Sequence, residues 1–231
     1  DWTLSQAGTT PSFTNTGTLT VGPGRTLTVS GGTFTQQTGA TLNGGGTLTL
    51  NAVTTVFSTG FTLGTLNISG GTASVSTPIS TAGLALGLSN NATLNGTGAG
   101  SLSNPVGQTL TLTSATIGAT VPLDNQGLLL LHNSSAVNGA LTTGPSSTLR
   151  VEAVGGQFNT FATVANGFTN NGLIELTSIS GALTASLTVP APTADRNSAS
   201  IARTWPSASA RPRSGARSPR IAAFMSSSSS R

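Results

Sequence analysis

Five acidic side chains and one histidine are all that this 231-residue chain offers to acid–base chemistry. Glu152 and Glu175 are the pair worth weighing first. They lie close to one repeat length apart, and each sits between apolar residues, Val151 and Ala153 for one, Ile174 and Leu176 for the other. In strands, that alternation turns both carboxylates to the outer surface. Stacked on neighbouring turns of a coiled chain they would come about 5 Å apart, the separation at which retaining glycoside hydrolases hold their two acids. A sugar cleft would add aromatic platforms and more acids. The chain has no Tyr, and both Trp, at 2 and 205, fall outside the patterned region. Glu152 and Glu175 therefore read as two acids on a solvated face, eased by Arg150, and the chain reads as non-enzymatic.

His132 suggests a second chemistry, because Asp124 precedes it and Ser134 and Ser135 follow it. A hydrolytic triad needs nucleophile, base and orienting acid to converge, with donors for the oxyanion. Nothing in the spacing supplies that, and His132 reads as the polar end of a strand formed by the run Leu128 to Leu131. No metal or cofactor is expected either. Cysteine is absent, which removes thiol catalysis and metal–thiolate sites together. Calcium-binding nonapeptides need Asp after a Gly-rich turn, whereas Gly44-Gly45-Gly46 and Gly70-Gly71 are followed by Thr. Gly96, Gly98 and Gly100 imitate part of a dinucleotide loop, yet no helix or acidic partner follows. Glycan-acceptor triplets at Asn67, Asn91, Asn95 and Asn133 are what chance gives in a chain so rich in Asn, Ser and Thr.

The elements that must position these residues are legible as a recurring phrase. Gly17 to Val21 (GTLTV), Arg25 to Val29 (RTLTV), Gly32 to Gln36 (GTFTQ), Ala40 to Gly44 (ATLNG) and Gly46 to Leu50 (GTLTL) follow in close succession. Strands this short cannot bury a face alone and need stacked neighbours. A second phrase, apolar-x-Asn-x-Gly-x-apolar, recurs at Phe13–Leu19, Leu123–Leu129 and Phe168–Ile174, with Gly17, Gly127 and Gly172 at its corner. The two intervals between those glycines fit five turns and two turns of a coil of about 22 residues, a usual length for a solenoid repeat. Such a coil holds three strands. At roughly 4.8 Å per coil, residues 1–190 would make about eight coils, a rod on the order of 40 Å long, with residues 13–190 as the solenoid repeats. Within the strands Leu and Val alternate with Thr, so aliphatics should fill the tube and threonines coat it. The buried set should include Leu19, Leu27, Val29, Leu48, Leu110, Leu112, Leu129, Leu149, Val151 and Ile174. Asn-Gly steps at 43, 95, 138, 166 and 171 mark corners where positive φ is tolerated. They would also fit two-residue hairpins, which leaves an antiparallel meander as the rival fold.

The phrases Phe13-Thr-Asn-Thr-Gly-Thr-Leu-Thr-Val21, Leu123-Asp-Asn-Gln-Gly-Leu-Leu129 and Ala165-Asn-Gly-Phe-Thr-Asn-Asn-Gly-Leu-Ile-Glu-Leu176 resemble the degenerate repeats of large bacterial β-strand-repeat surface proteins. In style they are similar to autotransporter passengers and filamentous-haemagglutinin-type adhesins. The resemblance spans about residues 10 to 190. It implies a right-handed parallel β-helix at the bacterial cell surface or outside the cell, without specifying a receptor; a glycan or protein of a host or cell surface is the partner class expected. No catalytic residues transfer. End-to-end or edge self-association is a further expectation for stacked strands.

Charge divides the chain near Pro190. Residues 1 to 190 hold two Arg against four acids, net −2, while residues 191 to 231 hold seven Arg against Asp195, net +6. The repeat stops at the same place, and the remainder is Arg, Ala, Pro and Ser ending in Ser226 to Ser230. This reads as a disordered basic tail. A phosphate-binding arm and a linker are two readings of it; the preferred one is out-of-frame translation of GC-rich DNA, with no specific nucleic-acid binding. The start, Asp1-Trp2, carries no export signal, and no apolar stretch is long enough to span a bilayer. Residues 1–12 read as an incomplete first coil of a fragment. Three functions remain: a structural or adhesive segment, favoured; a carbohydrate-active β-helix, if Glu152, Glu175 and Asp124 share one groove; and an ice- or crystal-surface binder. The last draws on Thr-x-Thr pairs starting at Thr18, Thr26, Thr33, Thr47 and Thr109, whose uneven spacing should scatter them over several faces.

Overall fold

The computed structural model describes residues 1–154, 159–179 and 183–190. The basic tail read at 191–231 lies outside the described residues. Every strand pairing is parallel, and no helix occurs among the described residues. The antiparallel rival is thereby set aside: the chain is an all-β parallel solenoid of about nine turns.

Three faces make up each turn, and register columns define them. On the first face, Leu4, Val29, Leu50, Ile68, Leu88, Leu112, Leu131, Val151 and Leu176 stack one above the next. Phe13, Phe34, Thr55, Ala73, Leu94, Ile117, Val137 and Val164 do so on the second face. The third face is built from Thr18–Thr20, residues 41–44 and residues 62–63, then from a separate four-stranded sheet of Ile79–Ser80, Leu102–Asn104, Leu123–Asn125 and Leu141–Thr143. Pro78, which has no N–H to give, stands at the break between them.

Inward positions of the first face are mostly aliphatic. Val29, Leu48, Leu50, Leu66, Leu110, Leu112, Leu129, Leu131 and Val151 are fully buried, while the Thr between them face out. Phe13 stacks on Phe34 and Phe34 meets Phe57 edge-on across successive coils, with ring centroids 5.8 and 6.1 Å apart. Leu19, Leu27 and Ile174 are only partly buried, because they belong to the terminal coils or lie directly beneath one. Leu27, for example, is opposite Trp2, which is itself 81% exposed.

Coil length varies more than a fixed repeat allows. Along the inward column of the first face, the step from Leu50 to Ile68 is the shortest, and the steps from Leu4 to Val29 and from Val151 to Leu176 are the longest. The Asn-x-Gly phrase explains why a count of eight coils falls short. Gly127 and Gly172 both precede first-face strands, so the interval between them is two whole turns; Gly17 instead precedes the third-face strand Thr18–Thr20. From Gly17 to Gly127 the chain therefore makes five turns and crosses one further face, and counting that interval as five turns makes each coil look longer than it is.

The corner between the first and second faces is nearly constant in length. Between the first and second faces, one residue after the column Ser30, Asn51, Ser69, Ser89, Thr113 and His132 adopts positive φ in six successive coils. These are Gly31 (71°), Ala52 (53°), Gly70 (73°), Asn90 (54°), Ser114 (50°) and Asn133 (55°). In two coils the strands run on through the corners, giving the continuous elements Thr41–Phe57 and Thr62–Val75.

Candidate functional site

The first face carries both glutamates that the sequence set against each other for carboxylate catalysis. Its outward positions run in columns: Thr28, Thr49, Asn67, Gly87, Thr111, Leu130, Arg150 and Glu175 form one. Ser30, Asn51, Ser69, Ser89 and Thr113 begin the next, and it continues through His132, Glu152 and Thr177. Glu152 and Glu175 thus occupy different columns. The turn that separates their strands is longer than the sequence interval between the two acids, which leaves them two positions out of register: Glu175 faces Arg150 and Glu152 faces Thr177.

Each carboxylate is instead taken by a base. Arg150 Nε donates to Glu175 Oε2 at 2.7 Å, and His132 Nε2 lies 3.2 Å from Glu152 Oε1. Both pairs bridge neighbouring coils and are partly buried. The stacking weighed as a condition for catalysis does not occur: Glu175 pairs with Arg150, the residue read as easing the two acids, and Glu152 lies within hydrogen-bond distance of His132. A carboxylate that already accepts from a guanidinium is held ionised and is ill placed to protonate a leaving group.

The triad residues do not assemble. Asp124 belongs to Leu123–Asn125 on the third face, where Gln126 Nε2 donates to its Oδ1 at 2.6 Å. Ser135 is buried, its hydroxyl donating to the His132 carbonyl at 2.7 Å, within the wall of the tube. Consequently Glu152, Glu175 and Asp124 do not share a groove. Two surface grooves elsewhere contain none of them: one of about 270 Å³ at the Pro78 break, lined by Phe61, Leu63, Ile79 and Leu84, and one beside Trp2, Leu19 and Arg25. Among the described residues no three His, Asp or Glu come together to hold a metal, and no helix is long and apolar enough to cross a membrane.

Two features escaped the sequence. On the second face the outward column is Ser12, Thr33, Thr54, Thr72, Thr93, Thr116, Ala136, Thr163 and Thr188. Five successive coils carry Thr there, and no ionisable side chain interrupts them. Thr-x-Thr counting missed it, because those pairs do scatter: Thr18 lies on the third face, Thr26 and Thr47 on the first, Thr33 on the second. Only the register gathers Thr54, Thr72, Thr93 and Thr116 behind Thr33. The second feature is a polar line inside the tube. Thr81 Oγ1 donates to Asn104 Oδ1 (2.8 Å), and Asn104 Nδ2 donates to Asn125 Oδ1 (2.7 Å) and to the Leu128 carbonyl (3.0 Å). The Asn-x-Gly phrase flagged Asn125 but as a corner; its burial was the signal not available from composition.

No protein-family model, curated protein or solved structure matches the chain.

Proposed function

We propose that the solenoid is a non-catalytic rod, a structural or adhesive segment of a secreted or cell-surface bacterial protein. The observation that carries this reading is the outer coat, in which coil after coil presents Thr, Ser and Asn while the two glutamates of the first face are each engaged by a side chain of the preceding coil, Arg150 for Glu175 and His132 for Glu152. Such a surface offers hydroxyl and amide hydrogen bonding over a length of several coils. Partners that suit it are neutral, hydroxyl-rich surfaces such as glycans.

Beads coated with the protein and presented to immobilised glycans and cells test the proposal, with release of reducing ends from the same polysaccharides measured in parallel. Attachment without release is the expected result. Turnover that disappears in Glu175→Gln would overturn it in favour of a carbohydrate-active β-helix.

The unbroken threonine column Thr33, Thr54, Thr72, Thr93 and Thr116 favours a second reading, binding to ice or another crystalline surface. Methyl and hydroxyl groups repeat along it at the strand spacing of about 4.8 Å, a regularity that only a periodic partner can exploit. Thermal hysteresis of the wild type, lost in Thr72→Lys, is the measurement that separates this reading from the first.

A further inference from the structure

The interior of the second face holds two polar groups that no protein atom satisfies. Gln36 is fully buried; its Oε1 accepts from Asn15 Nδ2 at 2.7 Å, and its Nε2 has no hydrogen-bond partner in the protein. One coil further on, Thr55 is 1% exposed, and its Oγ1 is likewise without a partner. Both side chains point into the tube, as their burial within strands of alternating pattern requires.

Register places them on a diagonal. Gln36 is opposite Phe57, and Thr55 is opposite Phe34, so the two polar residues sit on adjacent strands offset by two positions. From a strand spacing of about 4.8 Å and a rise of about 3.3 Å per residue, their Cα atoms are roughly 8 Å apart. That gap is too wide for a direct bond from a short hydroxyl, and the Phe34 and Phe57 rings that stand at its other two corners offer no acceptor. Thr55 and Ala73 are the two smallest side chains of their inward column, following two phenylalanines and preceding Leu94.

A buried amide donor and a buried hydroxyl are both costly if left unsatisfied, and native interiors resolve such pairs with ordered water when the site is polar and roomy. We propose that one ordered water molecule sits inside the tube between Gln36 and Thr55, accepting from Gln36 Nε2 and bonded to Thr55 Oγ1. It completes an internal polar line, Asn15 to Gln36 to water to Thr55, across the first three coils. This is the counterpart of the Thr81–Asn104–Asn125 line on the third face, with water standing where that line has a side chain.

Thr55→Val tests the proposal, since it removes the hydroxyl at almost constant volume. If water bridges the two groups, the variant strips one of its partners, and the melting temperature falls. A dry, unsatisfied hydroxyl gives the opposite sign, because valine then relieves a desolvated group. Direct detection comes from water-to-amide cross-relaxation at the Gln36 side chain. A long-lived water signal there in the wild type and in Thr55→Ser, weakened in Thr55→Val, is the expected pattern. Absence of that signal in the wild type, or a higher melting temperature for Thr55→Val, overturns the proposal.

Discussion

Asn104 makes three side-chain hydrogen bonds while wholly buried, linking the coils on either side of its own. Truncation to alanine leaves the Thr81 hydroxyl and the Asn125 amide without that partner in a low-dielectric interior, where each such loss is expensive. Asn104→Ala is expected to lower stability by about 1 to 3 kcal/mol, read as a drop in the urea midpoint at unchanged slope. An unchanged midpoint would mean that the line is ornamental. Glycines give a contrasting pair of residue-scale outcomes. Gly44 has φ +117°, and a Cβ there would run into the Val21 carbonyl, whereas Gly22 has open space around it. Gly44→Ala should destabilise clearly, while Gly22→Ala should be neutral or raise stability by a few tenths to about 1 kcal/mol through the unfolded chain; thermal melts of the two variants check both signs. The Asn-Gly steps were legible as corners in the sequence, but their reason was only half right. Gly44 and Gly167 do adopt positive φ. At Gly96, Gly139 and Gly172 the demand is instead the close approach of the next coil or the previous one, since a Cβ would meet the Thr120, Val121 and Ser147 carbonyls. That reason is a contact between distant residues, which no local pattern announces.

At the scale of elements, the period-two alternation told which side chains enter the tube, and seven of the ten named for burial are buried: Val29, Leu48, Leu110, Leu112, Leu129, Leu149 and Val151. Register was not legible in the same way. Loops make the turns unequal, short from Leu50 to Ile68 and long from Val151 to Leu176, so a sequence interval near the mean says little about who faces whom; Glu152 and Glu175 are the case in point. The energetic weights of the two kinds of contact should differ accordingly. Leu112 is fully enclosed, stacked between Leu88 and Leu131, and Leu112→Ala is expected to cost about 2 to 5 kcal/mol through lost burial and a cavity. Arg150 and Glu175 keep about a third and a quarter of their side-chain surface exposed, which puts the pair near the surface regime, where such interactions are worth up to about 1 kcal/mol. A double-mutant cycle on Arg150→Ala and Glu175→Ala should return a coupling of that size, shrinking with added salt. A coupling several times larger would mark the pair as structurally central.

For the whole molecule, each coil touches only the coils beside it, so stability should be distributed along the rod like that of a stacked array. Hydrogen exchange is the measurement: amides of Leu50, Ile68, Leu88, Leu112 and Leu131 should exchange slowest, and those of Trp2–Ser5, Thr18–Thr20 and Ala185–Thr188 fastest, with uniform protection contradicting the array. The solenoid class and the direction of its core were readable from the repeat, whereas the number of turns was not, because one phrase is reused at two different corners. The same stacking has a mechanical consequence. Strands circle the axis, so their ladder hydrogen bonds point along it, and a pull on the two ends loads every junction between coils in series. The weakest junction yields first, and the rest must then peel away one after another. Since a turn of about 21 residues drawn out at about 3.3 to 3.6 Å per residue spans roughly 70 Å, the rod would respond to tension as a shock absorber, lengthening in steps far greater than the few ångströms each coil occupies when folded.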